Sequence, residues 1–133
     1  MMDLGYARRA QRRPVDLGCQ VIRRGWDEPA AHRLTDLSPY GGWIATAFPL
    51  ARGEELVMCF EPPRWGGREI QVFAEVTRRV VLADRKRDPH ARCGMGVEFM
   101  DLGDHDRFEL RRWLRDHAEE LALDARALFR RMM

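Results

Sequence analysis

Two short stretches of this chain combine residue types suited to holding an anionic, purine-bearing ligand. The first is Arg8-Arg9-Ala10-Gln11-Arg12-Arg13. It offers guanidinium groups one helical turn apart, or splayed along a loop. The second is Asp36-Leu37-Ser38-Pro39-Tyr40-Gly41-Gly42, with a carboxylate, a hydroxyl and two glycines at a turn. Guanidinium forks pair with phosphate oxygens in a bidentate way. They also read the O6/N7 edge of guanine or stack on its face. A carboxylate accepts from the guanine N1–H and N2–H₂ donors. Glycines let the backbone come close.

Neither motif means much alone. Lys86 is the only lysine among the 23 Lys+Arg residues, so an Arg-x-x-x-Arg spacing recurs at Arg64/Arg68, Arg107/Arg111, Arg111/Arg115 and Arg126/Arg130. Asp, Ser and Gly are ordinary turn residues. The order, the spacing and the strand between them carry the joint signal. In that combination the chain resembles the PilZ family of cyclic di-GMP receptors. The matching residues are Arg8 and Arg12, then Asp36, Ser38 and Gly41. Arg12-Arg13-Pro14-Val15-Asp16-Leu17 resembles the family's entry into its first strand, and Gly94-Met95-Gly96-Val97-Glu98-Phe99 its last barrel strand.

The resemblance implies a mainly β fold: a small antiparallel barrel of about six strands with a long C-terminal α-helix. It implies a flexible Arg-rich arm at 1–13, a barrel at 14–103 and a helix at 104–133, all one domain. It also implies cyclic di-GMP as the ligand, held by Arg8, Arg9, Arg12, Arg13, Asp36, Ser38, Gly41 and Gly42. Trp43 directly follows that turn, so it either adds a ligand contact or packs on the barrel, with packing the favoured role. Arg9/Arg13 also fits the spacing. The run into Pro14-Val15 favours Arg8/Arg12 because it needs no gap. In the family, the residue before the motif influences whether one nucleotide or a stacked pair binds. Here that residue is Ala7 in one register and Arg8 in the other. Family members act on motility, surface polysaccharide and virulence through varied partners, so a downstream protein partner is expected.

Composition agrees with a binding module. The 133 residues suit one domain, and 45% hydrophobic with 33% charged residues indicates a globular chain. No apolar run approaches the roughly 20 residues needed to span a bilayer. Arginines occupy the place where a signal peptide would be apolar, so the expected compartment is the cytoplasm. A net charge of only +2 weakens a nucleic-acid-binding reading. A PilZ-like scaffold that binds no nucleotide is the nearer alternative. Cys19, Cys59 and Cys93 are widely spaced and read as small buried hydrophobes. The four histidines show no metal spacing. Ser38 is the only serine and lies in no nucleophile-elbow pattern. No enzyme site emerges.

The elements that must position the motifs follow from periodicity. Val15, Leu17, Cys19 and Val21 alternate with polar or small residues, giving a half-buried strand. Strands are expected at 32–37, 43–48, 56–60, 70–82 and 92–100. Turns are expected at 25–31, 49–53, 65–67 and 84–90. Short strands at this spacing suggest an antiparallel barrel or sandwich. From about Asp104 the period lengthens: Leu114, Ala118, Leu121, Ala125, Leu128 and Met132 recur at steps of four and three, an amphipathic helix. Some 27 helical residues would extend roughly 40 Å, farther than a small barrel can cover. The far part, with Leu128, Phe129, Met132 and Met133, is therefore expected to meet a second copy or another partner. A chain ending at Glu120 should keep ligand binding but lose self-association. Equal masses for the two lengths by light scattering, across a concentration series, would rule self-association out.

Overall fold

The computed structural model describes residues 12–64, 68–81 and 92–116. The strands are β1 (Arg13–Arg23), β2 (Ala30–Ser38), β3 (Gly41–Ala45), β4 (Glu55–Phe60), β5 (Ile70–Val80) and β6 (Gly94–Phe99). They close into an antiparallel barrel in the order β1-β2-β3-β6-β5-β4. One helix, α1 (Asp104–Asp116), follows. Arg8, Arg9 and the expected helix beyond 116 lie outside the described residues.

The alternation in the sequence is what closes the barrel. Val15, Leu17, Cys19 and Val21 of β1, Leu56, Met58 and Phe60 of β4, and Ile70, Val72, Ala74 and Val76 of β5 all point inward and are buried. Closure pairs every strand edge, which removes open edges. Leu110, Trp113 and Leu114 of α1 are buried in the same core. Asp104 and Asp106 in the helix's first turn complement its dipole. The Trp113 indole N–H donates to the Pro63 carbonyl at 2.9 Å, fastening α1 to the β4–β5 connection.

Boundaries shift from the sequence reading most clearly at β2 and β3. β2 begins at Ala30, inside the expected turn at 25–31, because Ala30 and Ala31 pair with Val21 and Gln20. β3 stops at Ala45, before the expected 48. There the Thr46 hydroxyl accepts from the Phe48 N–H at 3.1 Å, a local bond that replaces the ladder. Cys19 is buried, while Cys59 and Cys93 are half-buried. Burial pushes the Cys19 thiol up to about 11, with Cys59 adding to the rise and Arg33 opposing it. A thiol so shifted stays protonated and inert at neutral pH.

Register shifts interrupt three ladders: β1–β2 between Pro14 and Leu17, then β2–β3 and β5–β6. Between β2 and β3, Leu34 faces Ile44 but Asp36 faces Trp43, so Thr35 is supernumerary. Between β5 and β6, Val76 faces Val97 but Arg78 faces Gly96, so Thr77 is supernumerary. Each bulge flips the side chains beyond it to the other face. Unbroken alternation from inward Leu34 and Val76 would aim Asp36 and Arg78 into the core. The bulges aim both outward.

The β2–β3 hairpin is tight. Ser38 pairs with Gly41, leaving only Pro39 and Tyr40 in the loop. A Cβ at Gly41 would collide with the Val97 carbonyl oxygen and sit 3.1 Å from the Glu98 Cα, both backbone atoms. Gly41→Ala should therefore cost about 2 kcal/mol through overpacking, a fall in Tm on the order of 8 °C. Gly103→Ala, with open space around it, should change Tm little. Thermal melts of both variants check this.

Candidate functional site

The site is a row of residues across the outer wall of the barrel. Ladder partners place Pro14 of β1 beside Asp36 of β2, Asp36 beside Trp43 of β3, Trp43 beside Gly96 of β6, and Gly96 beside Arg78 of β5. Neighbouring strands lie about 4.8 Å apart, so this row spans roughly 19 Å. It is polar at both ends and flat in the middle.

At one end Arg12 Nε lies 3.5 Å from Asp36 Oδ2. The side chains are 43% and 29% exposed, so the pair is reachable from solvent. Arg13 behaves differently. It opens β1 opposite the inward-facing Leu37, and its guanidinium donates to the Arg12 carbonyl at 3.1 Å. Asp36 is thus met by Arg12 rather than Arg13. Burial raises the Asp36 carboxyl above its ordinary range. The charges of Arg12 and Arg92 and the Leu37 N–H act in the opposite direction.

The turn beside Asp36 is less exposed than the sequence reading expects. Ser38 is 1% exposed, and Gly41 and Gly42 are buried. The Ser38 hydroxyl accepts from the Tyr40 N–H at 3.1 Å and donates to the Gly41 carbonyl at 3.4 Å. The side chain builds the turn, in the manner of Ser/Thr turn motifs. Glycine at 42 is required because a Cβ there would strike the Asp36 carbonyl. These residues set the backbone next to the carboxylate.

The turn is also tied to α1. Arg107 Nε donates to the Pro39 carbonyl at 3.4 Å, and its guanidinium lies 5.1 Å from the Tyr40 ring centroid. Arg111 donates to the Tyr40 hydroxyl at 3.2 Å. The Tyr40 carbonyl accepts from the Phe99 N–H at 2.8 Å.

At the middle of the row the Trp43 indole packs against Gly94 and Gly96. Arg78 reaches over Gly96 and places its guanidinium 5.7 Å from the indole centroid. Arg78 and Arg92 belong to this surface, yet the sequence motifs do not include them. Only the Thr77 bulge turns Arg78 outward, and that bulge leaves no periodic trace. Among the described residues no cluster of three or more His, Cys, Asp or Glu side chains could hold a metal. No helix among them is long and apolar enough to cross a membrane.

The surface therefore presents an arginine, a buried-edge carboxylate, a flat indole and a second arginine in line. Such a set can take phosphate and the polar edge and face of a purine. The PilZ domain model matches residues 7–116. A search of curated proteins found no match. Among solved structures, the chain is similar to the PilZ domain, with c-di-GMP, of YcgR from Escherichia coli. The TM-score is 0.58 at 18% identity, covering 87% of this chain and 94% of that one. It is also similar to the Bacillus subtilis inhibitor of motility MotI/DgrA, with TM-score 0.63 at 17% identity, covering 80% of this chain but only 49% of that one. The PilZ domain of CeSA from a cellulose-synthesizing bacterium aligns with TM-score 0.53 at 14% identity, over 79% of this chain and 95% of that one.

The raised Asp36 carboxyl has a stability consequence. In the window above its ordinary 3.8, the folded protein holds a proton that the unfolded chain has lost. The stabilising term is present below that window and disappears as pH rises through the folded value. Asn at this position carries no charge to desolvate. The Tm of Asp36→Asn relative to the wild type should therefore rise between pH 4 and pH 7, as read by melts at both pH values.

Proposed function

The chain belongs to the PilZ domain family, and we propose that it is a receptor for cyclic di-GMP rather than an enzyme. The observation that carries this reading is the Arg12–Asp36 pair, which joins the two sequence motifs on one open surface. The ligand brings two phosphates and two guanines. Arg12, with Arg8 from the segment before it, takes phosphate oxygens, and Arg9 and Arg13 add positive charge nearby. The Asp36 carboxylate accepts from a guanine N1–H and N2–H₂. Ser38, Gly41 and Gly42 hold the backbone that makes this approach possible.

Each charge-assisted hydrogen bond is worth about 1.5–3 kcal/mol. Three or four of them, less the cost of fixing the arm, give a micromolar Kd, near −8 kcal/mol. Binding draws the arm that carries Arg8 to Arg13 over the β2–β3 turn. That turn is bonded to α1 through Arg107, Tyr40 and Arg111. Closure of the arm therefore changes the surface around α1, where a downstream protein reads the signal. The YcgR domain from Escherichia coli, a barrel of this fold, was solved with c-di-GMP, which supports the ligand assignment.

The purified protein should bind cyclic di-GMP and prefer it strongly to GMP and GTP. Arg12→Ala should weaken binding about tenfold or more, the loss of at least about 1.4 kcal/mol. Arg13→Ala should have the smaller effect. Calorimetric titration of the wild type and both variants checks this. Flat heats at tens of micromolar folded wild-type protein would remove the receptor reading, and a dominant Arg13 would move the motif by one residue.

A further inference from the structure

We infer that Trp43 and Arg78 form a purine subsite at the far end of the outer-wall row: one guanine of the ligand stacks on the indole beneath the Arg78 guanidinium. The inference rests on the receptor reading above and assigns the second half of that ligand.

Three observations carry it. The first is register. The Thr35 and Thr77 bulges lie on different strands, yet each turns one polar side chain out into the same row. Bulges commonly re-aim a side chain next to a functional site. The Thr77 bulge is internally supported, because its hydroxyl donates to the Gly96 carbonyl at 3.3 Å.

The second is the glycine floor. Trp43 and Arg78 flank Gly96, whose missing side chain leaves a notch one strand wide between them. A Cβ at 96 would sit 3.5 Å from Trp43 Cε3 and 3.6 Å from Arg78 Cβ. These are ordinary contacts, so the barrel does not need glycine there for space. Gly96 is buried beneath these two side chains, a π-face and a cation, and a base reaches the indole by displacing Arg78. Every nucleobase offers a π-face for stacking on an aromatic side chain. Guanine also presents O6 and N7, the edge that arginine reads in a bidentate way.

The third is the indole itself. Trp43 Nε1 is buried without a hydrogen-bond partner, packed against Gly94. A buried unpaired donor is a cost, and phenylalanine would not carry it. What tryptophan adds over phenylalanine here is a broader stacking face.

The consequence is a division of labour along the row. Arg12 and Asp36 hold one guanine and its phosphate, and Trp43 and Arg78 hold the other. A ligand with a single guanine, such as GMP, engages only one end.

The experiment is calorimetric titration of the full chain with cyclic di-GMP, using Arg78→Ala, Gly96→Val and Trp43→Phe. Each variant is first shown to fold by its melting transition. Arg78→Ala should raise the Kd about tenfold. Gly96→Val, which keeps both side chains but crowds Arg78 and the Trp43 indole from below, should raise it by a similar factor. Wild-type tryptophan emission should be quenched by the ligand, and Trp43→Phe should remove most of that quenching although Trp26, Trp65 and Trp113 remain. If the wild type binds but Arg78→Ala and Gly96→Val stay within twofold of it, the subsite is wrong and the receptor reading stands. If the wild type does not bind, both fall.

Discussion

Register is the constraint on which the site depends. Two extra residues, Thr35 and Thr77, decide which way Asp36 and Arg78 point. Hold either residue in a regular ladder instead of a bulge, and period-two alternation sends a charged group toward the core among Leu34, Ile44, Met95 and Val97, all buried. An unpaired charge there would cost several kcal/mol. The bulges therefore serve the core and the surface together. They let strands with charged residues at core parity join a closed barrel, and they collect those residues on one outer row.

Close approach of backbones is the second requirement, and it works at the opposite scale. Gly41 and Gly42 bring β3 within contact of the Val97 and Asp36 carbonyls. This lets a two-residue turn follow Ser38 directly. The turn then meets α1 through Arg107 and Arg111, which engage Pro39 and Tyr40. The path from Asp36 to the helix therefore runs through short, bonded links rather than a loose loop. A rigid turn of this kind passes on a displacement instead of absorbing it, as the proposed output surface near α1 would need.

Much of this was legible in the sequence, and what was hidden has a physical cause. Alternation of Val15, Leu17, Cys19 and Val21, and of Ile70, Val72, Ala74 and Val76, marks strands whose inward faces the structure bears out. The helix start near Asp104 follows from the change of period. Ser38 reads as a ligand group; that its hydroxyl also bonds Tyr40 and Gly41 within the turn is not legible from the spacing. Arg78 is not legible. It lies 42 residues after Asp36 (78 minus 36), in a run whose alternation continues visibly up to Val76. A single extra residue changes its face without changing composition or hydropathy. Arg92 is hidden for a related reason: its effect on Asp36 arises only when the barrel closes.

The nearly exclusive use of arginine becomes intelligible on this surface. At Asp36 the guanidinium stands 3.5 Å from a carboxylate that is already partly desolvated. Arginine is weakly hydrated for a cation, so it sheds water there at less cost than an ammonium would. At Trp43 a planar cation can lie over an indole, where lysine would act only as a point charge. In both places the ligand-free protein already occupies its arginine with an internal partner, Asp36 or Trp43. A ligand must therefore displace those contacts to bind. A phosphate or guanine edge does so because it offers two parallel acceptors to the fork, where the 3.5 Å approach of Arg12 offers one. A chloride ion, a single point of contact, brings less to replace what is lost. On the receptor reading proposed above, selectivity for a ligand with phosphates and guanines would arise from contacts the protein makes with itself before that ligand arrives.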